Sequence, residues 1–225
     1  MRRKITYSIL ALFLWTFLIG CPGVEIRKGL EVQERKLTST KPPFTLVLPS
    51  EFRLMHSFEN EGENSLTHAY LYIKERDKKI DELLIVQVAD RTNPQAGPIS
   101  AARLRPYTEE RMYLKDKTKK GEVDIDYMIQ LMAWNPDASS LQPIVKKGIV
   151  VPSHWALQGQ LQFIYQKEHA ISIRYSKDVN SFGLQVSEEK GKWVKDSISG
   201  SEMQAYEIFK DSFLKMINCI DLGSP

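Results

Sequence analysis

Gln158, Gln160 and Gln162 stand at alternate positions. Successive side chains of an extended strand point to opposite faces, so this spacing puts three amides in one row. An amide donates and accepts hydrogen bonds and carries no charge. Such a row, with Trp155 at the head of the same segment, suits recognition of sugar hydroxyls or of a peptide strand. It also suits the solvated outer face of a sheet. Asp124 and Asp126 share a face by the same rule, and paired carboxylates can hold Ca²⁺ or exchange protons. Their alternate neighbours Ile125 and Tyr127 are apolar, which turns the two acids toward water.

The histidines, His56, His68, His154 and His169, are scattered. A zinc site would have to be assembled from distant strands. His68 lies in an apolar-rich run, where a hydrogen-bonded structural histidine is expected. Lys115 to Lys120 holds four lysines and Asp116, read as a solvated turn, with contact to lipid headgroups as the alternative. The sequence has no Gly-x-Ser-x-Gly, P-loop, His-Glu-x-x-His, Cys-x-x-Cys or dinucleotide fingerprint. No catalytic residue, metal ligand or cofactor is therefore assigned. The binding candidates are Gln158, Gln160, Gln162 and Trp155.

The formal charge of +3 comes entirely from Arg2, Arg3 and Lys4, and the remaining chain is neutral. A neutral chain has no overall electrostatic reason to bind nucleic acid. Those three basic residues precede an uncharged apolar run, Ile5 to Ile19, which ends at Gly20-Cys21-Pro22-Gly23. A basic start, a short apolar core and a small-residue end make a secretory signal. The run is shorter than the roughly 20 residues a spanning helix needs.

Leu18-Ile19-Gly20-Cys21 resembles the bacterial lipobox. The resemblance implies cleavage before Cys21, diacylglycerol on its thiol and an acyl chain on the new amine. Two chains hold a protein stably at a membrane. Pro22 after the cysteine fits sorting to the outer membrane, facing the periplasm. The partner implied is thus the membrane, through lipid on Cys21, together with a possible envelope protein complex. Cys219 would be the one thiol left, expected as a small buried hydrophobe on the last helix.

The elements that must position these groups follow from periodicity. Residues 1–20 read as signal, 21–43 as a lipidated cysteine with a flexible tether, and 44–221 as a single globular domain. After Pro43 the dominant period is two: 44–48, 52–58, 66–73, 83–89, 123–131, 155–165 and 171–175 read as strands, with 182–186 a short further one. Trp155, Leu157, Leu161, Phe163 and Tyr165 share a face with Gly159, opposite the glutamines. The segment 155–175 reads as a hairpin turning at Lys167-Glu168-His169.

The end changes period. Tyr206, Phe209, Phe213, Met216, Ile217 and Ile220 recur at three and four, with Glu207, Lys210, Asp211 and Lys215 on the other side. Ser199/Glu202 and Ser201/Gln204 have capping-box spacing. A second helix over 107–118 is a further expectation. The fold class is α+β: one antiparallel sheet of about six to eight strands, covered on one face by the C-terminal amphipathic helix.

This order resembles PsbP-like domains on Phe44-Thr45-Leu46-Val47-Leu48-Pro49 at the start and Phe209-Lys210-Asp211-Ser212-Phe213 in the closing helix. The resemblance implies a non-catalytic, membrane-tethered binding or assembly module and brings no site residues with it. Taken together, the sequence points to a lipid-anchored periplasmic binding or assembly domain. The alternatives are a carrier of lipid or another apolar ligand, which needs a hollow between helix and sheet, and an anchored hydrolase with no recognisable motif.

Overall fold

The computed structural model describes residues 29–33, 35–49, 51–100, 104–186 and 193–223. The signal and Cys21 lie outside them. The class is α+β, built on a seven-stranded antiparallel sheet. Its strands are β4 (Arg53–Glu61), β5 (Ser65–Arg76), β6 (Lys79–Arg91), β7 (Met112–Lys120), β8 (Val123–Ala133), β9 (Trp155–Tyr165) and β10 (His169–Asp178), in the spatial order β4-β5-β6-β10-β9-β8-β7. A separate three-stranded sheet, β1 (Leu30–Gln33), β2 (Lys36–Thr40) and β3 (Pro43–Val47), lies before it in sequence.

That second sheet corrects the expected tether. Leu37 and Leu46 are fully buried and Leu30 nearly so, so 30–43 folds onto the domain instead of spacing it from a membrane. Polar, mixed-sign residues made the segment read as a linker. In fact alternate side chains of β2, Leu37 and Ser39, point inward while Lys36, Thr38 and Thr40 stay outside.

The long helix α2 (Gly200–Asn218), which follows a one-turn helix α1 (Gln142–Val145), closes the main core. Ala205, Tyr206, Phe209, Phe213 and Ile217 are its buried residues, the expected three-and-four stripe. They meet Tyr175, Gly159 and Tyr127 from β10, β9 and β8. The Phe209 ring stacks on Tyr175 at 5.2 Å between centroids and 5° between planes. Gly159 is required at the contact: a Cβ there would lie 2.4 Å from Cδ2 of Phe213. The N-terminus starts at Ser199, but its hydroxyl makes no capping bond, so the expected capping box does not form. At the other end the Lys120 ammonium donates to the carbonyls of Asn218 (2.7 Å) and Ile220 (2.5 Å). Those are carbonyls a helix leaves without an internal partner.

The second face of the sheet is also partly covered. Residues 134–151 fold back over it, and Ile80 N–H donates to Val150 C=O at 3.0 Å. Trp134, Leu141, Ile144 and Ile149 then bury Leu71, Ile73 and Leu83. The central strands β5 and β6 are apolar on both faces for this reason.

Four local expectations change. Residues 107–118 form a single 3₁₀ turn (Glu109–Arg111) and then edge strand β7, so there is no second long helix. The lysine run 115–120 is that strand and not a turn. Residues 182–186 are not a strand: Val179–Phe182 is a 3₁₀ turn and the chain continues irregularly. Cys219 caps α2 and is exposed, not buried.

Candidate functional site

The uncovered part of the second face is a polar groove, and the pairing register defines its floor. Gln162 on β9 lies opposite Ser172 on β10, which lies opposite Gln87 on β6. On the other side Gln162 faces Asp126 on β8, which faces Lys117 on β7. The next row along runs Ile85, Arg174, Gln160, Met128, Lys115. Directly paired residues share a face, so alternation along single strands becomes two rows across five strands, the first polar throughout and the second broken by Ile85 and Met128.

The chain after β6 forms the rim. It turns at Pro94–Ala96, held by the Asn93 side chain accepting from Gln95 N–H at 2.9 Å. Ile99 N–H then donates to Lys167 C=O at 2.9 Å, which sets Ile99 and Ser100 beside the floor. Two hollows result. One, of about 410 Å³, is lined by Thr67, Gln87, Gln160, Gln162, Ser172 and Arg174, among others. The other, of about 750 Å³, adjoins it through Ser100 and Gln162 and reaches Lys115, Lys117 and Asp126.

The three predicted glutamines do not have one role. Gln158 is buried and bonded on both sides: it accepts from Gln130 Nε2 at 3.0 Å and donates to Ser176 Oγ at 3.1 Å. Gln130 in turn accepts from Tyr107 N–H. This chain of amides ties the rim to β8, β9 and β10 and is structural. Gln160 and Gln162 differ. Among the described residues nothing hydrogen-bonds their amides, and neither is sealed from the groove. Their donors and acceptors are available to a ligand.

Trp155 does not join them. It lies on the opposite face by strand alternation, beneath the Arg111 guanidinium at 4.1 Å from the ring centroid and edge-on to Tyr107 at 6.0 Å. It is a packing residue at the end of the sheet. Trp134 is buried in the smaller core.

Arg174 was not singled out by sequence reasoning. It donates from Nη2 to Gln87 Oε1 at 3.1 Å and has no other partner among the described residues. No carboxylate among the described residues pairs with it, although burial beside Ile85 lowers its pKa by disfavouring the charge. The available signal was the alternation Ser172, Arg174, Ser176, which shares the glutamine face once the register is known.

The other candidates sit apart. Asp126 pairs with Lys117 at 3.0 Å and Asp124 is exposed, so the two acids do not converge on one point. His68 Nδ1 lies 2.8 Å from Glu59 Oε1, and His169 Nδ1 lies 2.6 Å from Asp90 Oδ1. His56 stacks on Phe58 and His154 is exposed. Among the described residues no three metal-ligating side chains come together, and no helix is long and apolar enough to cross a membrane.

Comparison with protein-family models, with curated proteins and with solved structures finds no match.

Proposed function

We propose that the chain is a lipid-anchored envelope protein whose exported domain binds a polar ligand in the groove over β6, β10 and β9. The observation that carries this is the pair of free amides, Gln160 and Gln162, beside the unpaired Arg174 in a concave polar space. Pockets of several hundred Å³ with a few convergent polar groups are the usual form of a ligand site. Beside Ala89, Ile99, Ala170 and Ile171, its polar lining is Asn, Gln, Ser and Thr with one Arg, groups that hold a ligand by hydrogen bonds without exchanging protons at neutral pH. That chemistry favours binding over hydrolysis. The filled contact of Phe213 on Gly159 leaves no hollow there for an apolar cargo, which favours it over lipid carriage. Anchoring rests on the lipobox-like Leu18-Ile19-Gly20-Cys21, and the PsbP-like order of elements agrees with a tethered, non-catalytic module.

The test has two arms. Labelling cells with an alkyne palmitate analogue should mark the wild-type chain and not Cys21→Ser. Envelope material captured on the tagged chain and analysed by mass spectrometry should contain a component that is lost with the Gln160→Leu/Gln162→Leu variant. Capture that is identical for wild type and that variant would remove the groove from the function.

A further inference from the structure

The floor of the groove holds a cation whose charge nothing answers among the described residues. Arg174 offers five N–H donors in a rigid fork. One is spent on Gln87, and none of its nitrogens is enclosed without a partner, so the rest of the fork opens to the groove. Among the described residues no Asp or Glu lines that hollow. A guanidinium is poorly placed in a half-buried site without an anion, because burial penalises its charge. A folded chain commonly answers such a charge with a carboxylate, as Arg91 is answered by Glu168 at 2.5 Å and Lys79 by Asp178 at 2.8 Å. Arg174 is kept free of one.

We infer that Arg174 is the anchor for a carboxylate on a small polyhydroxylated ligand, a sugar acid, with Gln160, Gln162 and Ser172 taking its hydroxyls. This rests on the groove being the binding site. Three observations select this ligand. The guanidinium fork matches the two oxygens of a carboxylate in a bidentate pair. Among the described residues around the two hollows there is one free positive charge and not two: Lys117 is paired with Asp126, and Lys115 lies three strands away, about 14 Å at the usual strand spacing, with its ammonium on Leu104 C=O. A single carboxylate is neutralised there, whereas a phosphate dianion would keep uncompensated charge. Around the fork lie uncharged amides and hydroxyls that both donate and accept, which is what a sugar hydroxyl also does. Trp155, the aromatic that would have stacked on a neutral sugar ring, is on the other face. The charge must therefore supply what stacking does not.

The experiment is two-dimensional ¹H–¹⁵N NMR titration of the full chain in a non-ionic detergent. The probes are sodium glucuronate, glucose, N-acetylglycylglycine and inorganic phosphate, at constant ionic strength. Glucuronate should shift amides of β6, β9 and β10 and bind at least ten times more tightly than glucose. Arg174→Met should remove at least nine tenths of that affinity, and Arg174→Lys, which keeps the charge and loses the fork, should fall between. Both variants should keep the wild-type dispersion of peaks outside the groove. If Arg174→Met fails to fold, Arg174→Lys alone decides: affinity equal to wild type overturns the bidentate role. Equal or tighter binding of N-acetylglycylglycine would make the site one for peptide carboxylates, and of phosphate a general anion site, and either overturns the inference. Glucose binding as well as glucuronate, with both lost in Gln160→Leu/Gln162→Leu, would overturn the role of Arg174 and leave the groove standing. No shift with any probe would count against both.

Discussion

Replacing Gly159 by Ala should destabilise the domain through a single contact. The added Cβ would sit 2.4 Å from Cδ2 and 2.6 Å from Cε2 and Cγ of Phe213. Ordinary carbon contacts begin at about 3.5 Å, so ring and strand must separate by roughly 1 Å. Phe213 is fully buried. Its ring lies parallel to Phe209 within 12° and edge-on to Tyr127, both at 6.4 Å. It cannot swing aside without disturbing both. Overpacking of this kind costs about 1–3 kcal/mol, and the entropic gain of Gly→Ala in a strand, about 0.5–1 kcal/mol, offsets only part. A net loss of about 1 kcal/mol lowers the midpoint by roughly 2–4 °C in a chain of this size. The assay is thermal or urea unfolding of the purified chain in a non-ionic detergent, followed by circular dichroism. Phe213→Leu in the same background should recover part of the loss. The two substitutions should therefore depart from additivity by about 1 kcal/mol. A midpoint within about 1 °C of wild type for Gly159→Ala, or simple additivity of the pair, would mean that the helix does not seat on β9 in this way.

Alkaline pH should unfold the domain steeply. Burial pushes the hydroxyls of Tyr72, Tyr113 and Tyr175 up, with Glu82 beside Tyr175 adding to its rise. The unfolded chain releases these protons from about pH 10 while the folded chain keeps them. Their contribution is therefore whole below that pH and lost above it, by about 1.4 kcal/mol per pH unit for each tyrosine. Phenolate absorbance at 295 nm should rise together with loss of the far-ultraviolet signal, and titration of all tyrosines near pH 10 with the signal intact would contradict the burial argument. Lys120→Met should cost about 1 kcal/mol by releasing the carbonyls of Asn218, which ends α2, and of Ile220 beyond it, and amide hydrogen exchange should quicken over 215–220 and not at the helix start. Unchanged exchange there would show that water serves those carbonyls as well.

The sheet and the closing helix were legible because both carry strong periodicity. The strand 155–165 alternates cleanly, and Tyr206, Phe209, Phe213 and Ile217 mark one helical stripe. Strand lengths were less legible. β5 and β6 meet in a two-residue turn at Asp77-Lys78, where both residues have positive φ without any glycine to signal it. β1 and β2 were missed because only alternate positions of a polar segment are buried, in a small sheet whose strands are four and five residues long. The binding candidates split for a similar reason. Gln158, Gln160 and Gln162 are equivalent along their own strand, and only the neighbours that register supplies, Gln130 and Ser176, distinguish the bonded amide from the free ones. Arg174 became visible as unpaired only once it was known which acids fail to reach it. Trp193, fully buried with its carbonyl accepting from Tyr113 Oη at 2.7 Å, lies in a stretch with no periodicity to announce it.

The first strands and the last residues are joined directly. Thr45 N–H donates to Asp221 C=O at 2.7 Å and Asp221 N–H returns the bond to Thr45 C=O at 2.9 Å. A chain synthesised from its N-terminus makes β3 early and can pair it with β2 at once, but the residue that bridges its other edge, Asp221, is among the last to appear. Contacts between distant parts of a sequence form slowly, and their surfaces stay open until the partner arrives. The Thr45–Asp221 bridge therefore cannot close until the last residues of the chain have been made.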